Sequence, residues 1–310
     1  MSLNCPICLK QNFTSKHLFQ DNGRDINVLY CKNCDFEYLD TWQDVDFVKS
    51  LYSGNKYVFT HNVSNKKDLT LKFDEYKNNY IRIKPFLNKE TTFLEIGCGD
   101  GKFLNMVKND VKEVECIELS PPQVKKLRSE GFTCYDVMIE DLKIDKKYDV
   151  ICLFAVLEHV PNLQEFLKKM KTFLKPDGKI FLEIPNRKNV LFSSYNIEEF
   201  RKFYYRSIHL YYFSPKSLKK VLDKTGFSSE ILTEQQASIT NHFHWLHNKK
   251  GQPNANAMTS IFLPEENHSN EIIKILNKVD DNYRKILEDK GLGDLLFAKL
   301  ECKFDEIAKK

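Results

Sequence analysis

The sequence predicts an α/β protein built on a doubly wound, mostly parallel sheet, with a small cysteine-bearing unit ahead of it and helical additions around it. Three observations carry that expectation. Apolar runs alternate with helical-period runs from Thr91 to about Leu232, one strand runs into three glycines at alternate positions, and two Cys-x-x-Cys pairs stand near the amino end.

A chain of 310 residues has room for one substantial core and one or two small appendages. Its 47 Lys+Arg against 43 Asp+Glu leave a formal net charge of +4, too little to imply a nucleic-acid or membrane surface by itself. No window approaches the roughly 20 apolar residues of a membrane span. The opening residues also lack an apolar stretch behind a basic flank. Of nine cysteines, four form the two pairs and five sit in apolar segments, where a free thiol behaves as a small buried hydrophobe. That usage suits a reducing, cytoplasmic setting with no membrane partner, and it leaves the oligomeric state open.

Four regions are expected. Residues 1–43 form a miniature unit with short strands at Val28-Leu29-Tyr30 and Phe36-Glu37-Tyr38-Leu39. Residues 44–90 form a helical connecting or lid segment, rich in Tyr, Phe and Lys, whose Tyr52 and Tyr57 could close over an acceptor. In the core, 91–232, strands are expected at Thr92–Ile96, Val114–Glu118, Tyr148–Phe154 and Lys179–Ile184. Helices are expected at Phe103–Lys108, Pro121–Glu130, Leu163–Leu174 and Pro215–Thr225. Residues 233–310 form a substrate-side extension: an exposed polar and aromatic strand around Thr240–His247, an amphipathic helix from Asn270 to Asp289, then another helix to the end.

Phe93-Leu94-Glu95-Ile96-Gly97-Cys98-Gly99-Asp100-Gly101 is a strand entering a turn whose glycines permit sharp bending and close approach of a ligand. The G-x-G-x-G spacing departs from the dinucleotide pattern G-x-G-x-x-G. Glu95, two positions ahead, would repel a pyrophosphate but attract an ammonium such as that of a methionine moiety, which favours S-adenosylmethionine over a nicotinamide. Glu118 closes the second strand about twenty residues after the loop, where a carboxylate can accept both hydroxyls of a ribose.

These residues resemble the class I methyltransferases, enzymes of Rossmann-like fold that use S-adenosylmethionine, over roughly Thr91 to Leu232. Glu95, Gly97, Gly99 and Gly101 match the family's E/D-x-G-x-G-x-G loop, and Glu118 matches its ribose acid. Val137-Met138-Ile139-Glu140-Asp141-Leu142 resembles the turn that frames adenine, and Tyr148 to Val160 the fourth-strand region. Lys175-Pro176-Asp177-Gly178 also matches, with Asp177 where the family usually has glycine. The resemblance implies a cofactor set of Glu95, Gly97, Cys98, Gly99, Gly101, Glu118, Leu119, Ile139, Glu140 and Phe154.

Cys5-x-x-Cys8 and Cys31-x-x-Cys34 can bring four thiolates around one tetrahedral Zn²⁺. Four protein ligands leave no position open for water, so the expected role is structural, and metal binding can drive folding of a unit with too little core of its own. Tyr30-Cys31-Lys32-Asn33-Cys34 and the residues after it resemble the zinc-bearing head of sugar C-methyltransferases of deoxysugar pathways.

Methyl transfer to a hydroxyl or carbon needs an aligned acceptor and a base. Ser207-Ile208-His209-Leu210-Tyr211-Tyr212-Phe213-Ser214 resembles the H-x-x-Y-F-S segment of those sugar enzymes. The resemblance implies His209 as general base with Tyr212 or Tyr211 lining the pocket. His159, in the turn after the fourth strand, is a second candidate. Ile208 stands where the sugar enzymes have an acid, so O-methylation is favoured slightly over C-methylation. The His242, His244 and His247 segment resembles one in methyltransferases of surface-polysaccharide gene clusters.

The leading expectation is methyl transfer to a saccharide or nucleotide-linked sugar. Alternatives are a small-molecule, quinone-like O-methyltransferase, an RNA methyltransferase docking RNA through the zinc unit, and a cofactor-binding interaction protein. Against RNA, Phe154-Ala155-Val156-Leu157-Glu158 lacks the Asn/Asp-Pro-Pro-aromatic pattern of amino-methylating base modifiers, and Lys10, Lys16, Arg24 and Lys32 are interleaved with acids.

Overall fold

Two sheets organise the apolar residues of the chain. The computed structural model describes residues 4–21, 24–42, 68–252 and 271–303. Tyr52 and Tyr57 lie outside the described residues.

The amino-terminal unit is a hairpin of β1 (Phe13–Asp21) and β2 (Arg24–Cys31) followed by β3 (Phe36–Leu39). All four residues of β3 are buried, and the two-residue period of a strand divides them between two cores. Phe36 and Tyr38 pack with the cysteines, while Leu39 joins Ile26 and Val28 in a second cluster.

The second region begins with α1 (Asp68–Ile83) and continues through β4 (Thr92–Ile96), α2 (Lys102–Val107), β5 (Glu113–Ile117), α3 (Pro121–Ser129) and β6 (Thr133–Tyr135). The chain then returns to the far side of β4 with β7 (Tyr148–Phe154), α4 (Leu163–Thr172) and β8 (Leu174–Pro185). Next come α5 (Val190–Ser193), α6 (Glu198–Tyr204), β9 (Tyr211–Tyr212), α7 (Pro215–Lys224) and β10 (Phe227–Glu234). The described chain ends with α8 (Ile239–Asn248), α9 (Glu271–Asp289) and β11 (Leu295–Cys302).

The seven-stranded sheet has the order β10-β11-β8-β7-β4-β5-β6. The pairs β4·β5, β4·β7, β5·β6 and β7·β8 are parallel, and β11 runs antiparallel to both neighbours. Order reverses beside β4, so the crevice beyond the carboxyl ends of β4 and β7 is the natural ligand position of such a sheet. Helices cover both faces, leaving one apolar cluster on each. Among the described residues no helix is long and apolar enough to cross a membrane.

The small sheet is completed by the large domain: β9 pairs with β3 through Glu37↔Tyr212 and Tyr38↔Tyr211. Gln164 donates to the Pro6 carbonyl at 2.6 Å, Lys224 to that of Ile7 at 2.8 Å and Ser214 to that of Asp35 at 2.8 Å.

Two expectations about the tail are corrected. Residues 240–247 are not an exposed strand but part of α8, capped by Ser238, which accepts from the Asn241 N–H, with Asn241, His242 and Trp245 buried at helical spacing. The stretch after α9 is not a helix: Leu295–Cys302 inserts between β8 and β10, whose edges demand a partner. The sheet therefore draws a strand from beyond residue 232.

Candidate functional site

β4 delivers the chain into Gly97, Gly99 and Gly101, with φ of 71°, 56° and 77°. All three are left-handed, which side chains disfavour. A Cβ at Gly97 would also sit 2.5 Å from Val156 Cγ2, so the loop closes only with glycine there. Cys98, between them, is buried in the cluster that holds Phe103 and Cys116, so its side chain belongs to the core.

Glu118, just beyond β5, is tied to that loop. Its Oε2 accepts from the Gly99 N–H at 2.8 Å, and its Oε1 accepts from the N–H groups of Leu119 and Ser120, each at 2.8 Å. Burial raises its pKa while the three N–H groups pull it down. The carboxylate is thus oriented at the crevice, and of its roughly four acceptor sites the one left open is on Oε2.

Glu95 is buried in β4, and its Oε2 has no hydrogen-bond partner among the described residues. Burial foremost, then the charges of Glu118 and Asp100, push its carboxyl up to about 8. A buried acid in that state calls for a cationic or donating partner. Glu140 is similar: both carboxylate oxygens are buried without partners among the described residues, and burial raises its pKa. Ile139 beside it is buried, and Phe154 at the end of β7 is half-buried, edge-on to Phe103 at 5.0 Å.

After β7 the backbone turns through Ala155, at φ 53°, and brings down the buried pair Glu158 and His159. His209 meets them, its ring centroid 4.7 Å from that of His159 at 75°. Burial foremost pushes the His159 imidazole down to about 4, so it is neutral at physiological pH. Tyr212 is otherwise occupied: its hydroxyl accepts from the Arg206 N–H at 2.9 Å and donates to the Arg206 carbonyl at 3.0 Å, closing the loop that presents His209. Tyr211 is buried beside Phe36 and Trp42 in the amino-terminal core.

The sulfurs of Cys5, Cys8, Cys31 and Cys34 lie within 4.8 Å of one another, with Cys8 and Cys31 at 3.7 Å. A tetrahedron of sulfurs at the usual metal–sulfur length has edges of about 3.8 Å, so the donor set fits one metal ion. The remaining five thiols lie apart from this group, four of them buried.

The three tail histidines do not converge. His242 is buried, its Nδ1 2.7 Å from the Tyr283 hydroxyl, and burial lowers its pKa to about 4. His244 Nδ1 instead meets the Lys250 carbonyl at 2.7 Å, and His247 is exposed.

Sequence reasoning missed Arg187. Buried after β8, it pairs with Asp35 at 2.6 Å and Glu37 at 3.1 Å, and the Tyr205 hydroxyl donates to the other Glu37 oxygen at 2.8 Å. These groups clamp the amino-terminal unit to the domain. Nothing local signals the partnership, because the paired residues are 150 or more positions apart.

The model of the methyltransferase domain family matches residues 70–230. A probable (S)-tetrahydroprotoberberine N-methyltransferase 2 of Papaver bracteatum is 34% identical over 101 residues, 30% of this chain and 28% of that protein. The ubiquinone biosynthesis O-methyltransferase of Rickettsia bellii is 27% identical over 168 residues, 50% of this chain and 70% of that protein. Its Xanthomonas oryzae counterpart is 32% identical over 108 residues, 32% and 45%. The chain thus spans less than half the length of two of these three relatives. A solved structure of a SAM dependent methyltransferase from Archaeoglobus fulgidus shares the fold, with a TM-score of 0.50 at 21% identity over 81% of this chain and 100% of that one. With more than half of its length matched by the family, and a sheet that reverses order beside the glycine loop, the chain belongs to the class I S-adenosylmethionine-dependent methyltransferase domain family.

Proposed function

We propose that the protein transfers a methyl group from S-adenosylmethionine to a hydroxyl of a saccharide or nucleotide-linked sugar, with His209 as general base and a structural zinc ion on Cys5, Cys8, Cys31 and Cys34. The observation that carries the reading is the meeting of His209 with Glu158 and His159 at the carboxyl end of β7, the edge on which the glycine loop opens. Glu118 would hold a ribose hydroxyl, Glu95 the ammonium, and Ile139 with Glu140 the adenine edge. When bound, the cofactor supplies an electrophilic methyl on a sulfonium. His209 would take the proton that the acceptor hydroxyl gives up as its oxygen receives the methyl.

The second reading, a small phenolic or quinone-like acceptor, draws support from the ubiquinone biosynthesis O-methyltransferases among the relatives. Both readings use the same base. The RNA reading has less support, since Phe154-Ala155-Val156-Leu157-Glu158 lacks the Asn/Asp-Pro-Pro-aromatic pattern of amino-methylating base modifiers.

Transfer of labelled methyl to a panel of nucleotide-linked sugars, glycan precursors, hydroxylated quinones and total RNA tests the proposal. Label in a sugar fraction supports it, and label in RNA alone rejects it. His209→Ala is expected to lower turnover about 100-fold with unchanged affinity for S-adenosylhomocysteine; an unaltered rate removes His209 from the role.

The raised pKa of Glu95 gives a pH signature. Between its ordinary value of 4.5 and about 8, the folded protein without cofactor holds a proton that the unfolded chain has released. Its contribution to stability therefore falls as pH rises across that window. An ammonium beside the carboxylate reverses the preference and expels the proton. Cofactor binding at pH 7 is expected to release up to one proton from Glu95, which steepens the rise of affinity with pH below about 8. Calorimetry in buffers of different ionisation enthalpy measures the release, and Glu95→Gln should abolish it. Equal proton release in the variant would reject the pairing.

A further inference from the structure

We propose that Glu158 is the charged partner of His209 and that His159 is the positioning residue that holds the pair in register; the inference rests on His209 being the base proposed above.

Two stretches about fifty residues apart are stapled at this point. The Glu158 carbonyl accepts from the Leu210 N–H at 2.8 Å and from the Tyr211 N–H at 3.3 Å. His159 Nδ1 lies 2.7 Å from the Ile208 carbonyl. These contacts flank His209 on both sides in sequence, so its Cα is fixed relative to the turn after β7. A ring nitrogen of each histidine and a carboxylate oxygen of Glu158 lie within 4.8 Å of one another, with Glu158 Oε1 3.8 Å from His159 Nε2.

Chemistry assigns the roles. A carbonyl only accepts, so the His159 proton sits on Nδ1 and its Nε2 is a lone pair. Kept neutral by burial, His159 is no proton carrier near pH 7. Its ring stands edge-on to that of His209 and limits how the base can turn. Glu158 is 1% exposed, so water gives its charge little help. An imidazolium on His209, within 4.8 Å of that carboxyl group, would offset a negative charge there as the acceptor proton arrives.

Other groups among the described residues bear on that balance, among them Glu37, whose charge acts on Tyr212 in the same direction as that of Glu158. Arg206, whose charge acts on His159, opposes protonation, as it is of the same sign as the imidazolium. The Tyr212 ring lies 6.1 Å from His209 with its hydroxyl held by the Arg206 peptide, and His159 is neutral. Glu158 thus favours the charged base, and Arg206 opposes it.

The test is a ¹⁵N-histidine NMR titration of His209 in the zinc-loaded full chain, beside the pH profile of turnover. Glu158→Gln, matched in shape, is expected to lower the His209 pKa by about one unit, a tenfold loss of proton affinity. Arg206→Gln should shift it the opposite way, so a sign reversal separates charge from general damage. The acid limb of turnover should move with each shift. His159→Asn, which can still donate to the Ile208 carbonyl, should recover most of the turnover that His159→Leu loses. A His209 titration unchanged in Glu158→Gln overturns the pairing, and so does perturbation of the His209 resonance by stoichiometric Mg²⁺, which would make the cluster a cation site. A titration that shifts while the acid limb does not upholds the pairing and overturns the assignment of His209 as base.

Discussion

Replacing Cys31 with serine, or stripping the metal with a chelator, is expected to unfold the amino-terminal unit and to loosen the segment that carries His209. The cysteines sit in the same cluster as Phe36, Tyr38, Trp42 and Tyr211, so the proposed metal donors are also part of the core. Apparent binding energies of structural zinc are about 10–16 kcal/mol, which exceeds what so small a unit can raise from apolar burial. Loss of the ion releases β3, and with it the pairing to β9 two residues beyond His209. Hydrogen exchange should rise over 24–42 and 205–214 while β4, β5 and β7 stay protected. One zinc per chain should be released on thiol modification. Metal-free protein with unchanged exchange in both segments would reject the structural role of the ion.

Glu118→Ala is expected to weaken S-adenosylhomocysteine binding by about 1000-fold. A ribose hydroxyl donating to the open site on Oε2 contributes roughly 1.5–3 kcal/mol, and the loss of the loop's brace supplies the rest of about 4 kcal/mol. The variant also leaves the N–H groups of Gly99, Leu119 and Ser120 without their acceptor, so the loop loses its brace. Glu118→Gln, which can still accept through one oxygen, should fall between the variant and the parent. Calorimetric titration measures the series, and an affinity unchanged in Glu118→Ala removes the residue from the cofactor site.

The parallel half of the sheet was legible because strands buried on both faces leave continuous apolar runs bounded by glycine and charge. Thr92–Ile96 and Tyr148–Phe154 appear with the bounds expected. The loop at 97–101 was legible because glycines at alternate positions have few other uses, and the cysteine pairs because their spacing is itself geometric. The tail was not. Alternate histidines at 242 and 244 suggest a strand, yet burial at 241, 242 and 245 follows a helix turn, and Ser238 caps it. For Leu295–Cys302 local preference is ambiguous, and two unpaired sheet edges decided the outcome. The identity of the candidate base was legible, but not its neighbours: Glu158, His159 and His209 meet through tertiary packing, as do Arg187, Asp35 and Glu37.

The position of β11 also governs how the protein is made. Synthesis runs from the amino end, so β8 and β10 emerge while the strand that belongs between them is still unmade. Until residue 302 leaves the ribosome, each of the two presents an open edge to the other and to neighbouring nascent chains. Pairing β8 directly with β10 would join two parallel neighbours in a shorter sheet and shut the last strand out. Commitment to the native order therefore waits until β11 has been made, and comes through contacts between β8 and β11 more than a hundred positions apart, the kind of closure that is slow and exposed to aggregation.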